Sequence, residues 1–331
     1  MKKSPLIVGA AVALLALTAC TGPGAPGSDD ASATFAVGTC LADFVGIDSD
    51  RTTVVDCTED HYFDVVGVET WPEMDAEIAA SDAETVYDAI TGDEASELGD
   101  AYWDWAYDTA IVLYLEAIGL AGVTIDGATA EELSLSPGAR FGLDYSLATR
   151  DAFVAGDHTT LFSSTWWSPE DTQIQVALPE GVTVADTVSG ALPADLQGCF
   201  TRDPNATGEK YTNVACTESH NGQYLAYVNG RVGLGAEFMA TVDPSNTIFP
   251  DYGPVDDYCT ILLDTIYPGL LDSASWGVWS DQAPGGDWES YDGTIDPEGY
   301  YPIYCAILGT SGTTFTGDVI SGDVNVSMTI G

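Results

Sequence analysis

The chain is poor in positive charge. Of its 331 residues, 8 are Lys or Arg against 52 Asp and Glu, and two of the eight, Lys2 and Lys3, sit at the extreme N-terminus. A field of that sign repels phosphate backbones and anionic lipid surfaces, so nucleic acid is excluded as a partner. It attracts cations or a basic protein, and the plainest account of the excess is a solvated acidic surface. Histidine is scarce too, with His61, His158 and His220 making up the full set of 3. Neither Gly-x-Ser-x-Gly nor His-Glu-x-x-His occurs, which removes two common hydrolase signatures. The paired carboxylates Asp48/Asp50 and Asp292/Asp296 lack the glycine and terminal glutamate of an EF-hand loop. Asn205-Ala206-Thr207 matches a glycosylation sequon but by itself carries no weight.

What is present begins with an address. Lys2 and Lys3 precede the apolar run Leu6 to Leu17, which is too short to span a bilayer comfortably. Leu17-Thr18-Ala19-Cys20 then resembles the bacterial lipobox, in which the chain is cut before a lipid-modified cysteine. Residues 1–20 are therefore expected to be a lipoprotein signal with Cys20 as the lipidation site. The lipid would anchor the mature N-terminus at the outer face of the cytoplasmic membrane. Residues 21–34, rich in Gly, Pro, Ser and Asp, read as a flexible tether.

Cys20 aside, 6 of the 7 cysteines remain, an even number in a chain bound for an oxidising compartment. Their setting repeats. Cys57-Thr58-Glu59-Asp60-His61 returns as Cys216-Thr217-Glu218-Ser219-His220, with Cys40 and Cys199 equally far upstream and a β-rich run after each histidine. This is an internal duplication. It pairs Cys40 with Cys57 and Cys199 with Cys216. Matching Asp144-Tyr145-Ser146 to Asp257-Tyr258-Cys259, and Gln173–Ala177 to the stretch around Cys305, leaves the first copy without either later cysteine. That joint absence pairs Cys259 with Cys305. In the loop-closure model each bridge is worth roughly 3–4 kcal/mol.

Along the chain, Tyr62–Val68 and Tyr224–Val228 read as strands, as do Gln173–Leu178 and Tyr300–Leu308. Residues 73–122 carry Tyr102, Trp103, Ala106, Ala110, Leu113 and Ala117 at helical spacing, a helical insertion in the first copy. The Tyr102–Tyr107 aromatic cluster fits a carbohydrate-stacking platform but better fits a helix core. Arg140–Val154 and Asp256–Tyr267 suggest further helices. Trp276, Trp279 and Trp288 fall in a Gly/Pro/Asp-rich loop, and Thr313–Ile330 reads as a hairpin or edge strand. The expected fold is α+β. Two tandem small antiparallel-sheet domains, 35–190 and 191–331, carry flanking helices and disulfide staples.

The Gly-x-Cys, Val-x-Cys-x-x-x-His, helix-with-cysteine, Trp-loop and strand-with-cysteine order resembles the septum-formation family of actinobacteria. Copy two, about residues 196–310, carries all four cysteine positions, and copy one keeps the Cys–Cys–His part. Where that family has a Glu shortly after the histidine, Asp64 and Gln223 stand here. Where it has a basic residue before the last cysteine, Tyr300-Tyr301-Pro302 stands. The resemblance implies a membrane-anchored or secreted protein of the envelope. The expectation is a non-catalytic binding or structural module with no cofactor and no metal. Its partners would be the membrane, through the lipid, and an envelope protein or cell-wall ligand. The alternative is an envelope hydrolase or metal-binding protein using His61 and His220, the two candidate binding residues. Against it stand oxidised cysteines and the lack of a positioned nucleophile. The bland role for each histidine is to brace the turn beside its bridge.

Overall fold

The computed structural model describes residues 35–42, 53–92, 96–138, 141–167, 175–188, 192–193, 196–203, 211–241, 252–282, 301–310, 312–322 and 324–328. The signal segment, Cys20 and the tether lie outside these residues, as do Asp48, Asp50, Asn205, Trp288, Asp292 and Asp296. Phe35–Gly331 forms one compact unit.

Its first half runs β1 (Cys40–Leu41), β2 (Val54–Val55), β3 (Phe63–Thr70), α1 (Met74–Ala80), α2 (Ala83–Thr91), α3 (Glu97–Ala117), β4 (Thr124–Ile125), β5 (Ala128–Thr129), β6 (Ser136–Pro137), β7 (Phe141–Leu147), α4 (Arg150–Val154), β8 (Thr159–Trp167) and β9 (Gln175–Val176). The second half continues with β10 (Gly198–Arg202), β11 (Tyr211–Asn213), β12 (Gly222–Asn229), α5 (Gly230–Met239), α6 (Gly253–Ile266), β13 (Trp276–Gln282), β14 (Pro302–Gly309), β15 (Thr313–Thr316) and β16 (Asn325–Met328). This is the α+β arrangement of antiparallel sheets and flanking helices that the sequence predicts. No described helix is long and apolar enough to cross a membrane.

The two halves build the same sheet. Its order is β2-β1-β3-β8-β7 in one and β11-β10-β12-β14-β13 in the other. Register agrees as well, since Cys40 faces Asp64 as Cys199 faces Gln223. Each central strand is also bulged at the same point, between Val65 and Gly67 in β3 and between Tyr224 and Ala226 in β12. A bulge disrupts the ladder and bends its strand, so its recurrence at one equivalent position supports duplication strongly.

Register also corrects the matching of the later cysteines. Gly67 faces Phe162 where Ala226 faces Cys305, so Phe162 takes the place of Cys305. Asp144–Leu147 is strand β7, not a counterpart of the helix that carries Cys259. Leu143, Tyr145 and Leu147 point to the core while Asp144 and Ser146 point away, and this period of two is strand geometry. The counterpart of α6 is α3, which packs on β7 and β8 as α6 packs on β13 and β14, so the stretch 73–122 is not wholly an insertion: its longest helix belongs to the shared plan. Trp276 and Trp279 likewise lie in β13 rather than a loop.

The helices begin where their caps dictate. Asp82 accepts the Thr85 amide at 2.9 Å to start α2, and Ser96 accepts the Gly99 amide at 2.8 Å to start α3. Pro254 lies in the first turn of α6. Tyr102, Ala106, Ala110 and Tyr114 of α3 share one apolar core with Val255, Leu262, Leu263 and Ile266 of α6. Each such leucine contributes about 1.5–3 kcal/mol by leaving water. The Tyr102 hydroxyl is buried against Thr160 Oγ1 at 2.7 Å, which settles most of the Tyr102–Tyr107 cluster as core. One strand crosses between halves: β6 pairs with β12, Ser136 opposite Tyr227 and Pro137 opposite Ala226.

Candidate functional site

Each repeated histidine sits at a clasp. The backbone of His61 exchanges hydrogen bonds with Leu178 (3.1 and 2.6 Å), and that of His220 does so with Phe315 (3.0 and 2.8 Å). Beside them the Gly181 amide donates to the Cys57 carbonyl at 2.9 Å, and the Gly317 amide to that of Cys216 at 2.6 Å. The last segment of each half is thus buttoned to the phrase near its start. The three expected bridges, Cys40–Cys57, Cys199–Cys216 and Cys259–Cys305, are all formed.

Neither histidine reaches solvent, both being 0% exposed. Each donates from Nδ1 to a carbonyl two residues upstream, His61 to Glu59 at 3.0 Å and His220 to Glu218 at 2.8 Å. A carbonyl can only accept, so the proton on Nδ1 is fixed in both. The Nε2 atoms differ. That of His61 lies 2.8 Å from Asp64 Oδ1, and the other oxygen of Asp64 accepts the Val184 amide. In the second half Gln223 takes the place of Asp64. Its Oε1 accepts the Val319 amide at 3.1 Å, and its Nε2 donates to Asp318 at 2.6 Å. His220 Nε2 is left with no hydrogen-bond partner among the described residues, and its ring lies perpendicular to that of Phe315 with centroids 4.9 Å apart.

One substitution therefore shifts the two rings in opposite directions. Burial works against a charged His61, but the hydrogen bond to Asp64, the Glu59 carbonyl and the nearby charges of Asp64 and Asp60 outweigh it and raise its pKa. Burial dominates at His220 and lowers its pKa, despite the Glu218 carbonyl and the charge of Asp318. A titration followed by imidazole NMR signals is expected to place the two repeated histidines on opposite sides of 6.5, their common starting value. Two coincident midpoints would refute the assignment.

Cys40, His61 and Asp64 bring ligand atoms within 4.8 Å of one another, as do Cys199, Cys216 and His220. Their sulfurs are bonded to sulfur, and a metal takes the thiolate form, so these groups are staples with a histidine behind them. His158 packs on Phe153 at 4.7 Å.

The accessible feature lies elsewhere. A cleft of about 390 Å³ opens between α3, β6 and β7 on one side and the outer face of the second sheet on the other. Tyr107, Tyr145, Tyr227 and Tyr304 line it with Ser134 and Ser136, and no lining side chain is charged. Tyr304 continues the row of rings on that face, lying 4.8 Å from Tyr224 and 5.3 Å from Tyr227. Burial and the neighbouring Tyr107, Asp144 and Asp104 raise the Tyr145 hydroxyl above its ordinary value. Asp144, on the opposite face of β7, is pushed up to about 6 by burial. Of the predicted aromatic cluster only Tyr107 reaches this cleft. Its other walls come from four separated stretches of chain, so no local signal announces them. No family model, curated protein or solved structure matches the chain.

Proposed function

We propose that the chain is a lipid-anchored extracytoplasmic protein that acts as a non-catalytic binding or structural module at the cell envelope, linked to septum formation. The observation that carries this reading is the sealing of both repeated histidines behind disulfide-stapled clasps. A general base must reach the proton it takes, and these rings present their Nδ1 atoms to backbone carbonyls inside the fold. The open surface is a cleft of ring faces and hydroxyls, a lining suited to holding a ligand rather than transforming it. The Cys20 lipobox supports the anchor, and three bridges suit an oxidising compartment.

Globomycin, which blocks lipoprotein signal cleavage, is expected to cause an uncleaved precursor to accumulate, and Cys20→Ala should release the chain from the membrane fraction. A mobility unchanged by the drug, together with an undisturbed membrane association of the variant, would overturn the anchor.

A further inference from the structure

The duplication exposes a place where one half is complete and the other is open. In the second sheet β10 covers β12 only as far as Tyr224, and β6 takes over beyond it. The Gly138 amide donates to the Leu225 carbonyl at 2.9 Å, and the Asn229 amide to the Leu133 carbonyl at 2.7 Å. In the first sheet β1 pairs with Phe63 and Asp64, and the bonds of Gly38 and Thr39 to Val65 end that cover. Val66, Val68 and Thr70 are the equivalents of Leu225, Tyr227 and Asn229. Among the described residues no strand pairs with them on that side. A groove of about 510 Å³ lies there instead, lined by Val66 to Glu69, by Leu113, Glu116 and Ala117 of α3, and by Phe35 to Val37. Gly67 lets α3 approach its floor, since a Cβ there would run into the Leu113 side chain.

From this we infer that the groove is a strand-addition site that takes an extended, alternating apolar and small-polar peptide with flanking Lys or Arg, supplied by an envelope protein. The inference rests on the binding-module reading and names its kind of partner. The occupant of the equivalent lane is β6, led in by a turn in which Ser134 takes a left-handed φ of 46°. Beyond that turn Leu135 and Pro137 are buried, and Ser136 between them faces the cleft. A peptide in the open lane would gain main-chain bonds from Val66, Val68 and Thr70 and place its apolar side chains on Leu113 and Ala117. Glu69 and Glu116 are exposed at the groove, so cationic flanks are complementary. The chain's own tether fits poorly. Residues 21–34 carry Asp29 and Asp30 and no Lys or Arg, so their charge does not complement those glutamates. The β6 of a second copy is already used in its own sheet.

Hydrogen exchange on the full chain tests this. The probe is a peptide with the sequence Leu-Ser-Leu-Ser-Val-Ser carrying two lysines at each end. In the free chain the Val68 and Thr70 amides should exchange rapidly while Gly67 and Glu69, turned to β8, stay protected. The peptide should slow Val68 and Thr70 at least about tenfold. Glu69→Lys with Glu116→Lys, both on exposed side chains, should weaken its binding about tenfold and transfer preference to a glutamate-flanked peptide. Amides already protected in the free chain would mean that the lane is filled by its own tether or a second copy, and would overturn the inference. So would saturation that leaves both amides unprotected, or no binding at millimolar peptide. None of these three results touches the membrane location tested with globomycin.

Discussion

Asp64→Ala is expected to cost the folded unit about 3–5 kcal/mol near pH 6, measured by denaturant unfolding. The carboxylate is 3% exposed and serves two buried donors, the His61 Nε2 and the Val184 amide. Removing it leaves a buried imidazolium that must lose its proton and a buried amide with no acceptor. Each fault is costly because water cannot enter to replace the partner. The pH dependence has a definite sign. His61 has a raised pKa in the folded state, so its contribution is complete below the unfolded value of 6.5 and is lost as pH rises through the folded value. The difference between parent and variant should therefore narrow at alkaline pH towards the cost of the Val184 amide alone, about 1–3 kcal/mol. His220 behaves oppositely. Its depressed pKa makes protonation a penalty that grows as pH falls below 6.5. Asp64→Gln copies the residue the second half uses and keeps an acceptor within reach of Val184. It should recover part of the loss while bringing the His61 midpoint down. A loss under about 1 kcal/mol for Asp64→Ala would show that the pair is not the buried ion pair described here.

The contrast between Asp64 and Gln223 also marks how far the sequence could be read. The Cys–Cys–His phrase was legible because two residue types of low frequency recur at one spacing, and its bridges and strands followed. Asp64 stood at the right offset from His61, but only the fold shows that its oxygens turn inward to the ring and to Val184. Beyond the bulge, residue identity no longer marks equivalence. Phe162 stands for Cys305 and Leu161 for Tyr304, and only hydrogen-bonded register relates them. Two segments went astray for related reasons. Residues 140–154 suggest a helix, yet Leu143, Tyr145 and Leu147 alternate inward as a strand, with only Arg150–Val154 helical. Gly277, Ser280 and Asp281 gave Trp276–Gln282 the look of a loop. Yet Trp276 and Val278 pack on the core, and Ser280 is buried on Asp256 at 2.6 Å. The cleft and the open lane were invisible because both depend on which strands the topology makes neighbours.

Cys259→Ala with Cys305→Ala is expected to cost about 4 kcal/mol, the loop-closure value for the 46 residues that the bridge spans. Both sulfurs are fully buried between α6 and β14, and alanine avoids placing a hydroxyl there. The first half shows what the position requires. Its Phe162 meets Trp105 of α3 edge-on at 5.8 Å, an aromatic contact holding helix to sheet where the second half has a covalent one. The two solutions differ in where they act. Aromatic burial stabilises the folded state, whereas a bridge chiefly restricts the unfolded chain. The bridge variant should therefore show a steeper denaturant dependence, because an unfolded chain freed of its cross-link exposes more surface. Phe162→Ala should instead lose about 3–5 kcal/mol with little change in slope. A bridge variant that lost under about 1 kcal/mol with an unchanged slope would show that α6 is held to its sheet by packing alone, as α3 is. Reductant would act on all three bridges, so the paired substitution is what isolates the one between α6 and β14.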